Sequence, residues 1–341
     1  MKTRTLTSMI LFIAIVVAFA LCGTEKTQAA SLKKITVAVP HPSAILWIPL
    51  HVAIGEGYFK DEGLDVNVEA VDGSGQVLQV MSAGKAQFGI PGPGPVLAAR
   101  ARGVDAVFIY NLFPKALFGL VVRKESSYTQ ASQLKGKVIG VGTADGSEVT
   151  FVRPILNEAG LTEGKDYTFL PVGDGGLAAA AFLRNDIEAY ASSVVDSAIM
   201  TSKGLALREI TPEKNLAYFG NGFATLAPYL KANPKIVEGF GRALVRAAMF
   251  CADPANQAKV LMDAAQGNPQ EAEDAVMAKA LLVQVVERQT PLDLTPGWGY
   301  QPAQGWKLWH EGQVESGALK APLPDLQAAY TNEFIKIWNG K

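Results

Sequence analysis

The chain has 341 residues, enough for two lobes with cores of their own. Its 31 basic and 32 acidic residues give a net charge of −1, with 49% apolar and 18% charged residues. That is ordinary globular composition, and it excludes the basic surface of a nucleic-acid-binding protein.

The N-terminus departs from the rest. Lys2 and Arg4 precede an almost unbroken apolar run, Met9–Leu21, and small residues follow at Ala29 and Ala30. This order predicts a cleavable secretory signal peptide over 1–30, and so a periplasmic protein. The apolar run is too short for a stable membrane-spanning helix. Cys22 follows Leu21 rather than the small residue that lipid attachment favours, so a soluble product is expected over an anchored one. After cleavage one cysteine remains, Cys251, in an apolar helical stretch. It reads as a small buried residue, and no intrachain disulfide can form. His41, His51 and His310 have no metal-ligand spacing, so no metal site is expected.

In chain order, Lys34–Val39 alternates as a strand and Pro40-His41-Pro42 stops it. Helices are predicted over Ile48–Glu56, Gln76–Ala83 and Val96–Arg102, and strands over Gln87–Ile90, Val104–Asn111 and Phe118–Arg123. The pattern restarts at Lys137. Strand Lys137–Val141 runs through a glycine turn into a helix from Ser147, then strand Tyr167–Val172, helix Leu177–Leu183, strand Ile187–Ala191, helix Val194–Lys203 and strand Leu205–Ile210. The last third is helix-rich, with proline at or before the starts of the segments 234–251, 254–265, 269–288 and 302–316. Leu326–Trp338 completes it. The fold class is α/β, with two α/β lobes of mostly parallel sheet and a helix-rich C-terminal part.

The glycine turn invites a nucleotide-binding reading. However, Gly140, Gly142 and Gly146 are spaced G-x-G-x-x-x-G, one residue longer than the dinucleotide fingerprint. In sheets of this kind a ligand is expected beyond the carboxyl ends of the strands, at glycine turns and helix N-termini. Those ends are Pro40–Trp47, Gly73–Gly75, Pro91–Gly94, Asn111–Phe113, Thr143–Ser147, Gly173–Gly176 and Ser192–Asp196.

Three motifs carry a family resemblance. Gly57-Tyr58-Phe59-Lys60-Asp61-Glu62-Gly63-Leu64-Asp65-Val66, Leu134-Lys135-Gly136-Lys137-Val138-Ile139-Gly140-Val141 and Phe182-Leu183-Arg184-Asn185-Asp186-Ile187-Glu188-Ala189 are similar to signatures of ABC-transporter periplasmic substrate-binding proteins. The branch is that of nitrate, sulfonate, taurine and thiamine-pyrimidine precursors. The resemblance implies a type II periplasmic binding protein, a clamshell with a two-segment hinge. Lobe one would take 31–121 plus 224–341, and lobe two 122–223. It also implies a monomer that binds a small-molecule solute without a cofactor and delivers it to an ABC permease with its ATPase subunit. An enzyme is not expected. The pyrimidine-synthesising relatives carry a cysteine cluster that this chain lacks, and no Ser/His or Cys/His arrangement is recognisable.

The candidate ligand contacts follow from the strand ends. Trp47, near Ser43, offers a flat face to a ring, or else packs in the core. Ser74 beside Gly75 offers a hydroxyl and helix N–H groups, or else a plain cap. Pro91, Gly92 and Asn111 could bring backbone or an amide to the cleft. Thr143, Asp145, Gly146 and Ser147 form the glycine turn, where Asp145 serves as ligand acid or helix cap. Asp174, Ser192 and Asp196 follow later strands. Acids outnumber candidate arginines, since Arg123 and Arg153 make no anion clamp. A neutral or amine-bearing heterocycle, such as a pyrimidine, is therefore the expected ligand. An alkanesulfonate, nitrate or aromatic carboxylate is the alternative.

Overall fold

The computed structural model describes residues 31–340. The expected signal peptide and Cys22 lie outside the described residues. Two five-stranded sheets organise the rest. The first contains β1 (Lys33–Val39), β2 (Leu64–Ala70), β3 (Phe88–Gly89), β4 (Ala106–Asn111) and β10 (Gly222–Leu226), in the order β2-β1-β3-β10-β4. The second contains β5 (Phe118–Arg123), β6 (Lys137–Val141), β7 (Tyr167–Pro171), β8 (Ala189–Ser193) and β9 (Leu207–Glu209), in the order β7-β6-β8-β5-β9.

The two orders are equivalent. In each sheet four strands run in one direction, three of them paired side by side, and the strand that follows a crossing between sheets inserts antiparallel between the third and the fourth. β5 does this in the second sheet and β10 in the first. Both crossings therefore end in hydrogen-bonded strands. The crossings run through 112–117 and 210–221, and they bond to each other: Phe113 N–H donates to Asn221 O at 3.1 Å and Gly220 N–H to Phe113 O at 2.7 Å. Gly220 is needed here, because a Cβ would meet the Phe113 and Leu117 side chains at 2.9 and 2.7 Å. Phe118–Val121, placed by sequence in lobe one, pairs within the second sheet, because the apolar run Phe118–Val122 has no breaker at 121.

Strand β10 was not legible as a strand. No element is read from sequence between Ile210 and Pro234, and Gly222 is the strand's first residue. Gly222 is required by tertiary packing, since a Cβ there would collide with Tyr110 O and the Phe108 ring. The C-terminal stretch 326–338 is also not one helix. It is a short 3₁₀ turn at Gln327–Ala329, a bridge from Tyr330 to Phe108, and a helical turn at Ile335–Trp338.

The first lobe is cored by Phe88 stacked on Phe240 at 4.0 Å, with Phe59 and Phe223 against the same ring. A second cluster joins the lobes. Trp309, on the Ala303–Glu315 helix, packs on Phe151, Tyr218 and Phe219, and the Gln313 amide donates to Thr150 O at 2.8 Å. The helix-rich C-terminal part thus braces both lobes beside the two crossings.

Candidate functional site

The carboxyl ends of the strands converge on a cavity between the lobes. Its first-lobe wall is Pro40, His41, Leu46, Trp47, Gly73 and Ser74. Its second-lobe wall is Thr143, Ser147, Glu148, Asp174, Ser193 and Asp196, and the crossings supply Leu117, Phe118 and Asn221. The cavity measures about 50 Å³, room for three or four water-sized groups. Two larger hollows lie elsewhere. One of about 520 Å³ runs along helix flanks past Arg102, Asp145, Arg153 and Gln313. Another of about 500 Å³ lies beside His51 and Asp263. The small cavity is the candidate site, because it gathers strand ends and helix N-termini of both lobes, where N–H and C=O groups are left free.

On the first-lobe side, Pro40 ends β1 and turns the chain through His41. The Ser43 N–H donates to His41 Nδ1 at 3.0 Å, so the ring's N–H is carried on Nε2. That nitrogen faces Asp174 Oδ2 of the second lobe at 3.7 Å. Trp47 is buried, with its indole N–H donating to His41 O at 2.8 Å and its ring edge-on to Phe113. It is part of the core and lines the cavity at the same time. Ser74, in the Gly73–Ser82 helix, meets Ser147 of the opposite lobe, hydroxyl to hydroxyl at 2.6 Å, and accepts from Gly92 N–H at 3.2 Å.

The second-lobe side is acidic. Asp174, after β7, is pushed up to about 6 by burial and then by repulsion from Asp196, which His41 partly offsets. The Tyr190 hydroxyl reaches Gly173 O at 3.1 Å and Asp174 Oδ1 at 3.4 Å. Burial and the surrounding carboxylates hold that hydroxyl well above its usual range. Glu148, in the first turn of the Ser147–Glu158 helix, accepts from Thr143 N–H at 3.1 Å. Burial pushes its carboxyl up to about 8, so it is largely protonated at neutral pH. Asp196 is differently employed. It accepts from Gly175 N–H at 2.9 Å, Ser193 N–H at 3.1 Å and the Ser193 hydroxyl at 2.7 Å. Its role is that of a buried cap in a capping box.

Of the candidates read from sequence, Trp47, Ser74, Thr143, Ser147, Asp174 and Asp196 meet in this wall. The others do not reach it. The Ser43 hydroxyl bonds Glu271, whose carboxylate caps Ala44 and Ile45. Gly75 abuts Asp145, and both line the 520 Å³ hollow instead, with Asp145 exposed. Pro91 and Gly92 are not among the wall residues, although Gly92 adjoins Ser147. Gly146 makes room for the Glu148 carboxyl. The Ser192 hydroxyl bonds Ser197 and Ser193 O. Asn111 is buried with neither end of its amide partnered, outside the cavity wall. Arg153 pairs with Glu163 at 2.7 Å and Arg123 bonds Asn185, both away from the site.

Leu117, Phe118, Glu148 and Asn221 lie outside the strand ends read from sequence, and His41, inside one of them, was not singled out. His41 reads as part of a strand breaker. Glu148 lies inside a predicted helix. Asn221 precedes a strand that the sequence hides. The signals available were the place of His41 in the strand end Pro40–Trp47 and of Glu148 in the first turn after a glycine loop.

The family model for NMT1/THI5-like proteins matches residues 46–258. The chain belongs to the NMT1/THI5-like family. Within it and beyond, a riboflavin-binding protein RibY from Chloroflexus aurantiacus is 25% identical over 98% of this chain and 98% of its own. The 4-amino-5-hydroxymethyl-2-methylpyrimidine phosphate synthase THI5 of Saccharomyces cerevisiae is 26% identical over 68% of this chain and 72% of its own. The alkanesulfonate-binding protein SsuA from Xanthomonas axonopodis pv. citri, solved bound to MOPS, superposes with a TM-score of 0.68 at 19% identity, over 89% of this chain and 99% of that one. This NMT1/THI5-like chain therefore has the fold of the periplasmic solute-binding proteins of ABC import systems, as its motifs led one to expect.

Proposed function

We propose that the protein is an extracytoplasmic receptor of an ABC importer, not an enzyme. It clamps a neutral or amine-bearing heterocycle between its lobes and delivers it to a membrane permease. The observation that carries the ligand class is the charge of the cavity wall. Asp174 and Asp196 line it beside Glu148, whose carboxyl is largely protonated at neutral pH, His41 is its one basic group, and no lysine or arginine among the described residues lines it. An oxyanion placed about 4 Å from a single carboxylate meets a repulsion of about 4 kcal/mol at an effective dielectric constant near 20. A ring N–H or amine meets attraction at the same place.

The named relatives support this choice. Riboflavin contains a fused pyrimidine ring, and the synthase is named for a pyrimidine. The name of SsuA favours a sulfonate, but the acidic wall argues against that ligand here. The receptor reading over a hydrolase is supported by the wall hydroxyls. Ser74 and Ser147 bond each other, and His41 faces Asp174 rather than either of them. Binding to the folded state raises stability by about 2.7 kcal/mol at a ligand concentration 100 times Kd. In a thermal-shift panel, 4-amino-5-hydroxymethyl-2-methylpyrimidine or riboflavin should raise Tm, whereas nitrate and alkanesulfonates should not. A rise with the anions alone would refute the proposed ligand class.

A further inference from the structure

The amide of Asn221 stands where the second crossing meets β10, and the residue is only 2% exposed. Its Nδ2 donates to Ile90 O at 3.0 Å. A backbone carbonyl can only accept, so this contact fixes which end of the amide is which. Oδ1 is thereby turned the other way, and it has no hydrogen-bond partner. It sits beside Gly92, next to the Ser147 hydroxyl, and Asn221 is itself one of the residues that line the cavity. The Ser147 hydroxyl is engaged with Ser74 and does not serve it.

A buried acceptor without a donor is costly, and native structures hold few of them. Those that line a binding cavity are reasonably explained by the ligand. The same wall carries a second atom of this kind, Thr143 Oγ1. The two differ in what they demand. A hydroxyl can donate or accept, whereas a locked amide oxygen can only accept.

Resting on the receptor reading above, we infer that Asn221 is the specificity-determining residue of the site: its Oδ1 accepts a hydrogen bond from a ring N–H or amino N–H of the heterocycle. The hinge position suits this role. Asn221 O accepts from Phe113 N–H, so the two crossing segments hold the amide in place from behind. A ligand that donates to it is gripped at the pivot, while Asp174 and His41 meet from opposite lobes at the other side of the cavity. A ring without the N–H leaves Oδ1 orphaned, and a site built for a hydrogen bond rejects such an analogue strongly.

Titration calorimetry with two probe pairs tests this. One pair is 4-amino-5-hydroxymethyl-2-methylpyrimidine and its 4-dimethylamino analogue. The other is riboflavin and 3-methylriboflavin. Within each pair the N–H is replaced by N–CH₃. The wild-type protein should bind the N–H member of the pair it accepts at least about tenfold more tightly. In Asn221→Leu that ratio should fall to within about threefold, chiefly through weaker binding of the N–H member. Binding of neither pair to the wild type defeats the heterocycle reading and this inference with it. Binding without discrimination, or discrimination that survives in Asn221→Leu, overturns the inference alone and leaves the receptor reading standing. The wild-type comparison needs no variant, so a poorly folded Asn221→Leu does not blunt the test.

Discussion

Glu148 shows how a single side chain can serve the cavity at the expense of stability. Its carboxyl accepts one backbone N–H yet is surrounded by protein and by Asp174 and Asp196. Burial raises it from its ordinary 4.5 to about 8. Between those values the folded protein holds a proton that the unfolded chain releases. The stability is therefore complete below about pH 4.5 and is lost as pH rises through about 8. A glutamine keeps the acceptor oxygen and cannot ionise. Glu148→Gln should raise Tm by about 5–8 °C at pH 8 and flatten the profile between pH 5 and 8, as read by calorimetric melting. Equal pH profiles for variant and wild type would mean that Glu148 is ionised at little cost. Such placement was beyond sequence reading. Trp47 and Ser74 could be named because they follow recognisable strands, whereas Glu148 is marked only by the fold that closes over it.

At the level of elements, the lobes meet through glycines. Gly73 and Gly75 in one helix start, and Gly92 and Gly94 in the next, face Thr143, Asp145, Ser147 and Thr150 of the second lobe. At each of these glycines a Cβ would overlap the opposing side chain. The glycines are thus where closure needs backbone contact, and Ser74 to Ser147 is the hydrogen bond that closure makes. Gly75→Ala and Gly92→Ala should wedge the lobes apart. Ligand affinity should drop about tenfold, because the closed state loses its differential stability, and scattering should show a larger radius of gyration with ligand present. Wild-type affinity in both variants would contradict this account of closure. The alternation of β1 to β4 and of β6 to β9 was plain in the sequence, and the strand-end rule led to most of the cavity wall. What stayed hidden was β10, whose Gly222 serves the close approach of Tyr110 and Phe108. With β10 unseen, Asn221 had no structural address.

For the whole molecule, the two equivalent sheets, the bonded crossings and the bracing Ala303–Glu315 helix describe a hinge with three attachments. An acidic cavity lies at its pivot. The 50 Å³ volume is tight for a single ring, so the lobes must part for a ligand to pass and re-close around it. The Arg102–Arg153 hollow is larger, and its Arg153 is already paired. The most direct test is a crystal structure of the protein with the tightest-binding solute of the heterocycle panel. The account predicts ring density between Trp47 and Asp174, touching both lobes, with an N–H within hydrogen-bond distance of Asn221 Oδ1. Ligand density confined to the Arg102–Arg153 hollow, or a sulfonate or nitrate held in the acidic cavity, would contradict it.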